Sequence, residues 1–223
     1  MQTLPERFLA AVAAERQRTA SRRRFLTGSV KLAGGGALAL AAFGGPFGRT
    51  VRPVAAQDFA DDVEILNYAL TLEHLEASFY RDGLDELGED AFTDAGRPAN
   101  VFGLLEEIRD HELAHVETLT GVITDLGGVP VEEGTYEFGY EDVDGFLEVA
   151  AALENTGVAA YAGAAPQIAD PGLLAAALDI HSVEARHAAY LNARNGESPF
   201  PDAVDEALTP TEVLEIAGQF IVQ

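Results

Sequence analysis

The sequence predicts an all-α protein, a four-helix bundle with a long crossover between its second and third helices and a short fifth helix near the C-terminus. Three observations lead there. Apolar residues recur at intervals of three and four along four long stretches after residue 60. The two-residue alternation that marks a half-buried strand is nearly absent. With 48% apolar residues in 223, the chain has ample material for one core and an appendage.

The first helix is expected from Asp61 to about Gly83, with Ile65, Leu66, Ala69, Leu72 and Tyr80 on its apolar stripe. Residues 88–98, rich in Gly and Asp and containing Pro98, read as a loop. Asn100 to Leu126 form the second helix, striped by Leu104, Leu105, Ile108, Leu119, Val122 and Ile123, and Gly127-Gly128 stops it. Residues 129–143 are a long connection with room for a short extended piece at Tyr136–Tyr140; a crossover of this kind joins helices that run parallel. Asp144 is placed as the cap of a third helix reaching about Ile168, and Asp170-Pro171 opens a fourth that ends near Asn195-Gly196. Thr209-Pro210-Thr211-Glu212 is a capping-box pattern, opening a fifth helix to Ile221. The bundle thus occupies residues 57–197 and the tail 198–223.

Charge divides the chain in two. Residues 1–56 carry eight Arg and Lys31 against Glu6 and Glu15, a net of about +7. From residue 57 onward 35 acidic residues face five arginines and no lysine, a net of about −30 inside the overall −23. Such a surface lacks the basic side chains that neutralise phosphate, which argues against nucleic-acid binding and against an anionic bilayer. It resembles the composition of halophilic archaeal proteins, whose self-repulsion concentrated salt screens. The absence of cysteine excludes disulfides, thiol nucleophiles, Cys-ligated zinc and iron–sulfur clusters. Any metal must be held by Glu, Asp or His.

Within the basic segment, Ser21-Arg22-Arg23-Arg24-Phe25-Leu26 precedes an uncharged, glycine-interrupted stretch, Leu32 to Gly48, and then Val54-Ala55-Ala56. The order of basic motif, mild apolar stretch and small-residue exit resembles a twin-arginine signal peptide over residues 1–56. That resemblance implies recognition by the twin-arginine translocase and export of a folded protein to an extracellular, cell-surface or periplasm-like space.

The most informative residues are acids on apolar stripes, because charged side chains are rarely buried unless paired or bound to metal. Glu73 shares its stripe with Leu66, Ala69 and Tyr80, and Glu112 with Leu105, Ile108 and Leu119. Glu154 lies with Leu147, Ala150 and Tyr161, and Glu184 with Ala177, Ile180 and Leu191. Two of these acids have a histidine three residues on, His115 and His187, so each pair projects from one helix face. The other two have a tyrosine seven residues on, Tyr80 and Tyr161. The chain therefore repeats itself: Glu with Tyr, then Glu-x-x-His, twice. Near these stripes, Glu76 is an alternative to Glu73 on the first helix and His74 flanks it; His111 and His181, one and three residues before Glu112 and Glu184, are open either to joining the site or to lying outside it, and the tyrosines read as packed phenols, hydrogen-bond donors or redox-active phenols.

Two lone Glu and two Glu-x-x-His motifs, one per helix, form the ligand set of ferritin-like bundles that hold two metal ions. The chain from about residue 60 to 222 resembles the ferritin-like, di-iron carboxylate superfamily, and within it the group that includes desiccation-related proteins, through LNYALTLEHLEASFY and DEALTPTEVLEIAGQFI. The resemblance implies two Fe ions, alternatively Mn, with Zn as a redox-inert occupant. It implies Glu73, Glu112, His115, Glu154, Glu184 and His187 as ligands, with Glu112 and Glu154 as bridging or second carboxylates and Glu73 and Glu184 as terminal or bridging. Redox chemistry on Fe(II), dioxygen or peroxide is the expected activity; a non-enzymatic, desiccation-related metal-binding or structural protein is the alternative.

Overall fold

Short polar residues start the helices by accepting hydrogen bonds from otherwise unpaired backbone amides. In the computed structural model, which describes residues 59–222, Asp61 accepts from the amide of Glu64 and opens helix α1 (Asp62–Asp94). Helix α2 (Val101–Asp125) follows after a connection of six residues. Asp142 accepts from the amide of Gly145 and opens α3 (Val143–Ala164), which passes into a 3-10 turn at Ala165–Gln167. Asp170 accepts from the amides of Gly172 and Leu173 to open α4 (Pro171–Arg194), and the Thr209–Glu212 capping box opens α5 (Pro210–Ala217). The proposed signal segment, residues 1–56, lies outside the described residues.

Four expectations need correction. Helix α1 does not end near Gly83 and residues 88–98 are not all loop: the chain breaks only at Gly88, whose φ of 68° is open to glycine, and turns helical again because Phe92 inserts into the core. The cap of α3 is Asp142 rather than Asp144, since only Asp142 has the extended backbone of a capping residue; Asp144 pairs with Arg97. Helix α3 stops at Ala164, where Pro166 shapes the 3-10 turn short of Ile168. Helix α5 stops at Ala217 because the chain beyond it pairs with the crossover. There Glu137 donates to the carbonyl of Phe220 at 2.8 Å and Val222 to that of Thr135 at 2.8 Å, around a single antiparallel bridge between Tyr136 and Ile221.

Helices α1 and α2 are antiparallel. Phe92 near the end of α1 meets Phe102 at the start of α2, and Asn67 near the start of α1 donates to the carbonyl of Val129 beyond the end of α2. Helix α3 is antiparallel to α1, since Tyr80 of α1 reaches Glu154 while Tyr161 of α3 reaches Glu73. It follows that α2 and α3 run parallel, as a long crossover requires. Among the described residues no helix is long and apolar enough to cross a membrane.

Two apolar clusters bracket the middle of the bundle. One is aromatic, with Phe79 stacked on Phe146 at 4.5 Å and Phe92, Phe138 and Phe220 around them. The other is aliphatic, built on Leu66, Leu70, Leu119, Ile123 and Ile180. The tail is fastened across α3: the amide of Leu208 donates to the carbonyl of Ala159 at 3.1 Å, and a Cβ at Gly163 would stand 1.9 Å from the carbonyl oxygen of Leu208. Glycine at 163 is what permits that approach.

Candidate metal centre

Between the two apolar clusters, one acid from each of the four long helices turns inward. Glu73, Glu112, Glu154 and Glu184 have no exposed surface, and His115 and His187 are buried beside them. The six residues expected from the sequence are thus brought together. Nδ1 of His115 lies 3.1 Å from Glu73, 3.2 Å from Glu112 and 3.2 Å from Glu184. Nδ1 of His187 lies 2.9 Å from Glu112 and 3.3 Å from Glu154. Two overlapping sets result, each with its donor atoms within 4.8 Å of one another: Glu73, Glu112, His115 and Glu184, and Glu112, Glu154, Glu184 and His187. Glu112 and Glu184 belong to both sets, whereas Glu154, which the family resemblance implied as a bridging or second carboxylate, belongs to one.

The tyrosines cross over. Tyr80 donates to Glu154 at 2.6 Å and Tyr161 donates to Glu73, so each phenol serves the acid of the opposite helix instead of the one seven residues before it. His111, exposed at the rim, places its Nδ1 2.9 Å from Nε2 of His187, with the rings stacked at 5.2 Å. That contact leaves Nδ1 of His187 facing the carboxylates, the outer-partner arrangement by which metal-binding histidines are held. The sequence left open whether His111 joins the site; its place beside Glu112 is the signal that it lies near the centre. His181 does not join the cluster but lies 4.0 Å from Asp205, and His74 bonds the carbonyl of Val131 at 3.1 Å. Glu76 is buried next to the cluster, outside both sets.

Electrostatics show what the cluster lacks. Burial, and then the neighbouring carboxylates, push Glu76, Glu112 and Glu184 well above the ordinary carboxylate range. Burial raises Glu154 to about 8 in spite of the bond from Tyr80. Burial alone would lower His115, yet its hydrogen bonds with Glu112 and Glu73 and the Glu184 carboxylate 3.2 Å from its Nδ1 hold it up to about 12. Burial lowers His187 to about 4, with the charge on His115 adding to the effect. In the metal-free protein a protonated His115 is therefore the single cation among the acids. Even so, both oxygens of Glu184, Oε1 of Glu112, Oε2 of Glu154 and Nδ1 of His187 are buried without a hydrogen-bond partner. Buried acceptors facing one another at this spacing need positive charge. Carboxylate and imidazole donors in these proportions suit iron, manganese or zinc.

Beyond Tyr161, toward the aliphatic end, lies a cavity of about 30 Å³ lined by Leu66, Ala69, Leu119, Ala177 and Ile180 among others. That is room for one or two water-sized molecules, and its lining is apolar.

Comparison with known proteins agrees with this architecture. Among curated proteins, Protein rds1 of Schizosaccharomyces pombe (strain 972 / ATCC 24843) is 24% identical over 165 residues, 74% of this chain and 40% of that protein. The chain therefore matches less than half the length of that relative. The family model described as the ferritin-like domain matches residues 61–197, which contain all four long helices and all six inward-facing residues. With more than half its length matched, the chain belongs to the ferritin-like domain family.

Proposed function

We propose that the protein holds a dinuclear iron or manganese centre and uses it for redox chemistry on Fe(II), dioxygen or peroxide. The observation that carries this reading is the pair of overlapping four-residue sets sharing Glu112 and Glu184. On this reading Glu73 and His115 would help to hold one ion, Glu154 and His187 the other, and Glu112 and Glu184, which belong to both sets, would serve both. Four carboxylates cancel the charge of two divalent ions, which offsets the burial and the mutual repulsion that raise the acids in the metal-free protein. When bound, two adjacent redox ions with open positions would supply paired electrons to dioxygen or peroxide.

The protein's own groups have separable tasks. His115 gives up its proton on loading, because a histidine ligates only when neutral. Tyr80 and Tyr161 fix the rotamers of Glu154 and Glu73 by donating to one oxygen of each, leaving the other oxygen free to face the centre. His111 orients His187. The apolar cavity beside Tyr161 fits an uncharged diatomic better than an organic substrate.

The surface supports a second reading, metal binding without turnover, since an acidic, lysine-free exterior retains water and counter-ions whatever the centre does. Export and a saline setting extend either reading, supported by the basic motif at residues 21–26 and by the charge of the mature chain. The test is elemental analysis of protein purified from its native host, followed by aerobic Fe(II) addition with oxygen consumption recorded. Two ions per chain and oxidation abolished in Glu112→Ala support the enzyme; two ions without oxidation support the second reading. Metal well below one ion per chain overturns both. Glu73→Ala is expected to lose one ion and Glu184→Ala to weaken both.

A further inference from the structure

The four long helices form two similar hairpins. Glu73 and Tyr80 of α1 recur 81 positions later as Glu154 and Tyr161 of α3, and Glu112 and His115 of α2 recur 72 positions later as Glu184 and His187 of α4. The structure obeys the repeat: the tyrosine bonds exchange with each other, and so do the two metal-binding sets. The centre therefore lies on a pseudo-twofold axis. By the same shift, Glu76 of α1 corresponds to Gly157 of α3.

At this pair the repeat is broken. Helices α1 and α3 run antiparallel with Tyr80 beside Glu154 and Glu73 beside Tyr161, so residues 76 and 157 face each other midway between the tyrosine bonds. Glu76 is only 3% exposed. A Cβ at Gly157 would lie 3.2 Å from Oε1 of Glu76 and 3.2 Å from Oε2 of Glu184. Those two carboxylates thus converge over a backbone without a side chain, and both oxygens of Glu184 are buried with no hydrogen-bond partner. A glycine inside a helix and a buried acid each cost stability. Both costs fall at one point of the seam, where two alanines would pack without either, and local costs of this kind mark functional positions.

We propose that Glu76 is a seventh metal-binding residue, a fifth carboxylate that joins the dinuclear centre beside Glu184 through the gap left by Gly157. The consequence is asymmetry. Six residues obey the pseudo-twofold and make two equivalent positions; Glu76 has no counterpart, so one ion is held by an additional charged donor and the two bind with different affinities.

This rests on the dinuclear reading above, and one titration separates the two. The metal-free full chain is titrated anaerobically with Mn(II) by calorimetry, and the spin-resonance spectrum of the bound ions is recorded. Wild type is expected to bind two ions of unequal affinity. Glu76→Gln, which keeps the shape and removes the charge, is expected to weaken one ion by about 10–100-fold, leave the other nearly unchanged and alter the spectrum. Gly157→Ala, which wedges a methyl group between the two carboxylates, is expected to weaken the same ion, with the double variant no worse than the poorer single one. If wild type binds two ions and Glu76→Gln binds them with the same affinities and spectrum while its metal-free form becomes more stable, Glu76 is only a tolerated buried acid and the proposal fails alone. If wild type binds no Mn(II), the dinuclear reading fails with it. Should Glu76→Gln not fold, Gly157→Ala decides: two ions at unchanged affinity overturn the assignment.

Discussion

Removing metal should make the bundle lose stability as pH rises, opposite to ordinary acid denaturation. In the metal-free protein, burial holds Glu154 at about 8 against an unfolded value of 4.5. His115 is held at about 12 by its carboxylate bonds, against burial and an unfolded value of 6.5. A group raised on folding carries an extra proton in the native state. Its stabilisation is complete below the unfolded value and is lost as pH rises through the folded one. His187 is lowered to about 4, so its contribution is present above 6.5 and lost as pH falls through 4. Between 4.5 and 6.5 the slopes of Glu154 and His187 offset each other; above 6.5 nothing opposes the loss. Each group loses about 1.4 kcal/mol per pH unit. From pH 6.5 to 8, Glu154 and His115 together remove about 4 kcal/mol, and Glu76, Glu112 and Glu184, raised in the same direction, add to that. Whole domains have only about 5–15 kcal/mol to lose. Exposed carboxylates are already ionised at 6.5, so surface repulsion is constant across the window. The assay is urea denaturation of chelator-treated protein at pH 6.5 and 8 in one fixed salt, followed by helical circular dichroism, beside the same series with Mn(II). The chelated midpoint should fall steeply and the loaded one stay level. Equal stability of the chelated protein at the two pH values would refute this electrostatic account of the cluster.

Loading metal near neutral pH should release protons from His115 and Glu154 and, because they too are raised, from Glu112 and Glu184, at least about two per chain, read from calorimetry in buffers of different ionisation enthalpy; loading without proton release contradicts the protonated His115. Tyr161→Phe removes the donor to a fully buried oxygen of Glu73 and should cost the metal-free protein about 1–3 kcal/mol in urea denaturation, with Tyr80→Phe costing a similar amount because the two bonds are related by the repeat. Gly163→Ala would put a Cβ within 1.9 Å of the carbonyl oxygen of Leu208, so the tail segment must lift from α3; about 2 kcal/mol or more should be lost, and proteolysis near residues 198–208 should accelerate.

The four long helices and their inward acids were legible because burial imposes a period of 3.6 on the sequence, and an acid on the apolar face stands out against it. Glu112 and Glu184 illustrate this: each occupies a position flanked by buried residues one and two turns away. What the period cannot carry is contact between helices. The bonds from Tyr80 to Glu154 and from Tyr161 to Glu73 depend on the antiparallel register of α1 and α3, which no local pattern encodes. Helix ends failed for a related reason. Asp142 and Asp144 are equally good capping residues in isolation, and Arg97, 47 positions away, is the partner that Asp144 takes in the fold. Likewise α5 is cut short by pairing with Thr135–Glu137, which the sequence places far from it.

The repeat constrains the shared carboxylates more tightly than spacing along any one helix. A twofold operation that exchanges the two donor sets must carry the shared pair onto itself, so the pair consists of equivalent residues. Glu112 with Glu154 fails that condition, because the repeat relates Glu112 to Glu184 and Glu73 to Glu154. Only two pairs remain, and the donor sets choose between them. Glu112 and Glu184 belong to both sets, whereas Glu73 and Glu154 belong to one each. Glu73 and Glu154 are each held aside by a tyrosine of the opposite helix, a bond that occupies one oxygen and leaves the other for a single donor set. On the proposed dinuclear reading the phenols would separate terminal from shared carboxylates, and conversion of either tyrosine to phenylalanine removes the bond that holds its acid to one side.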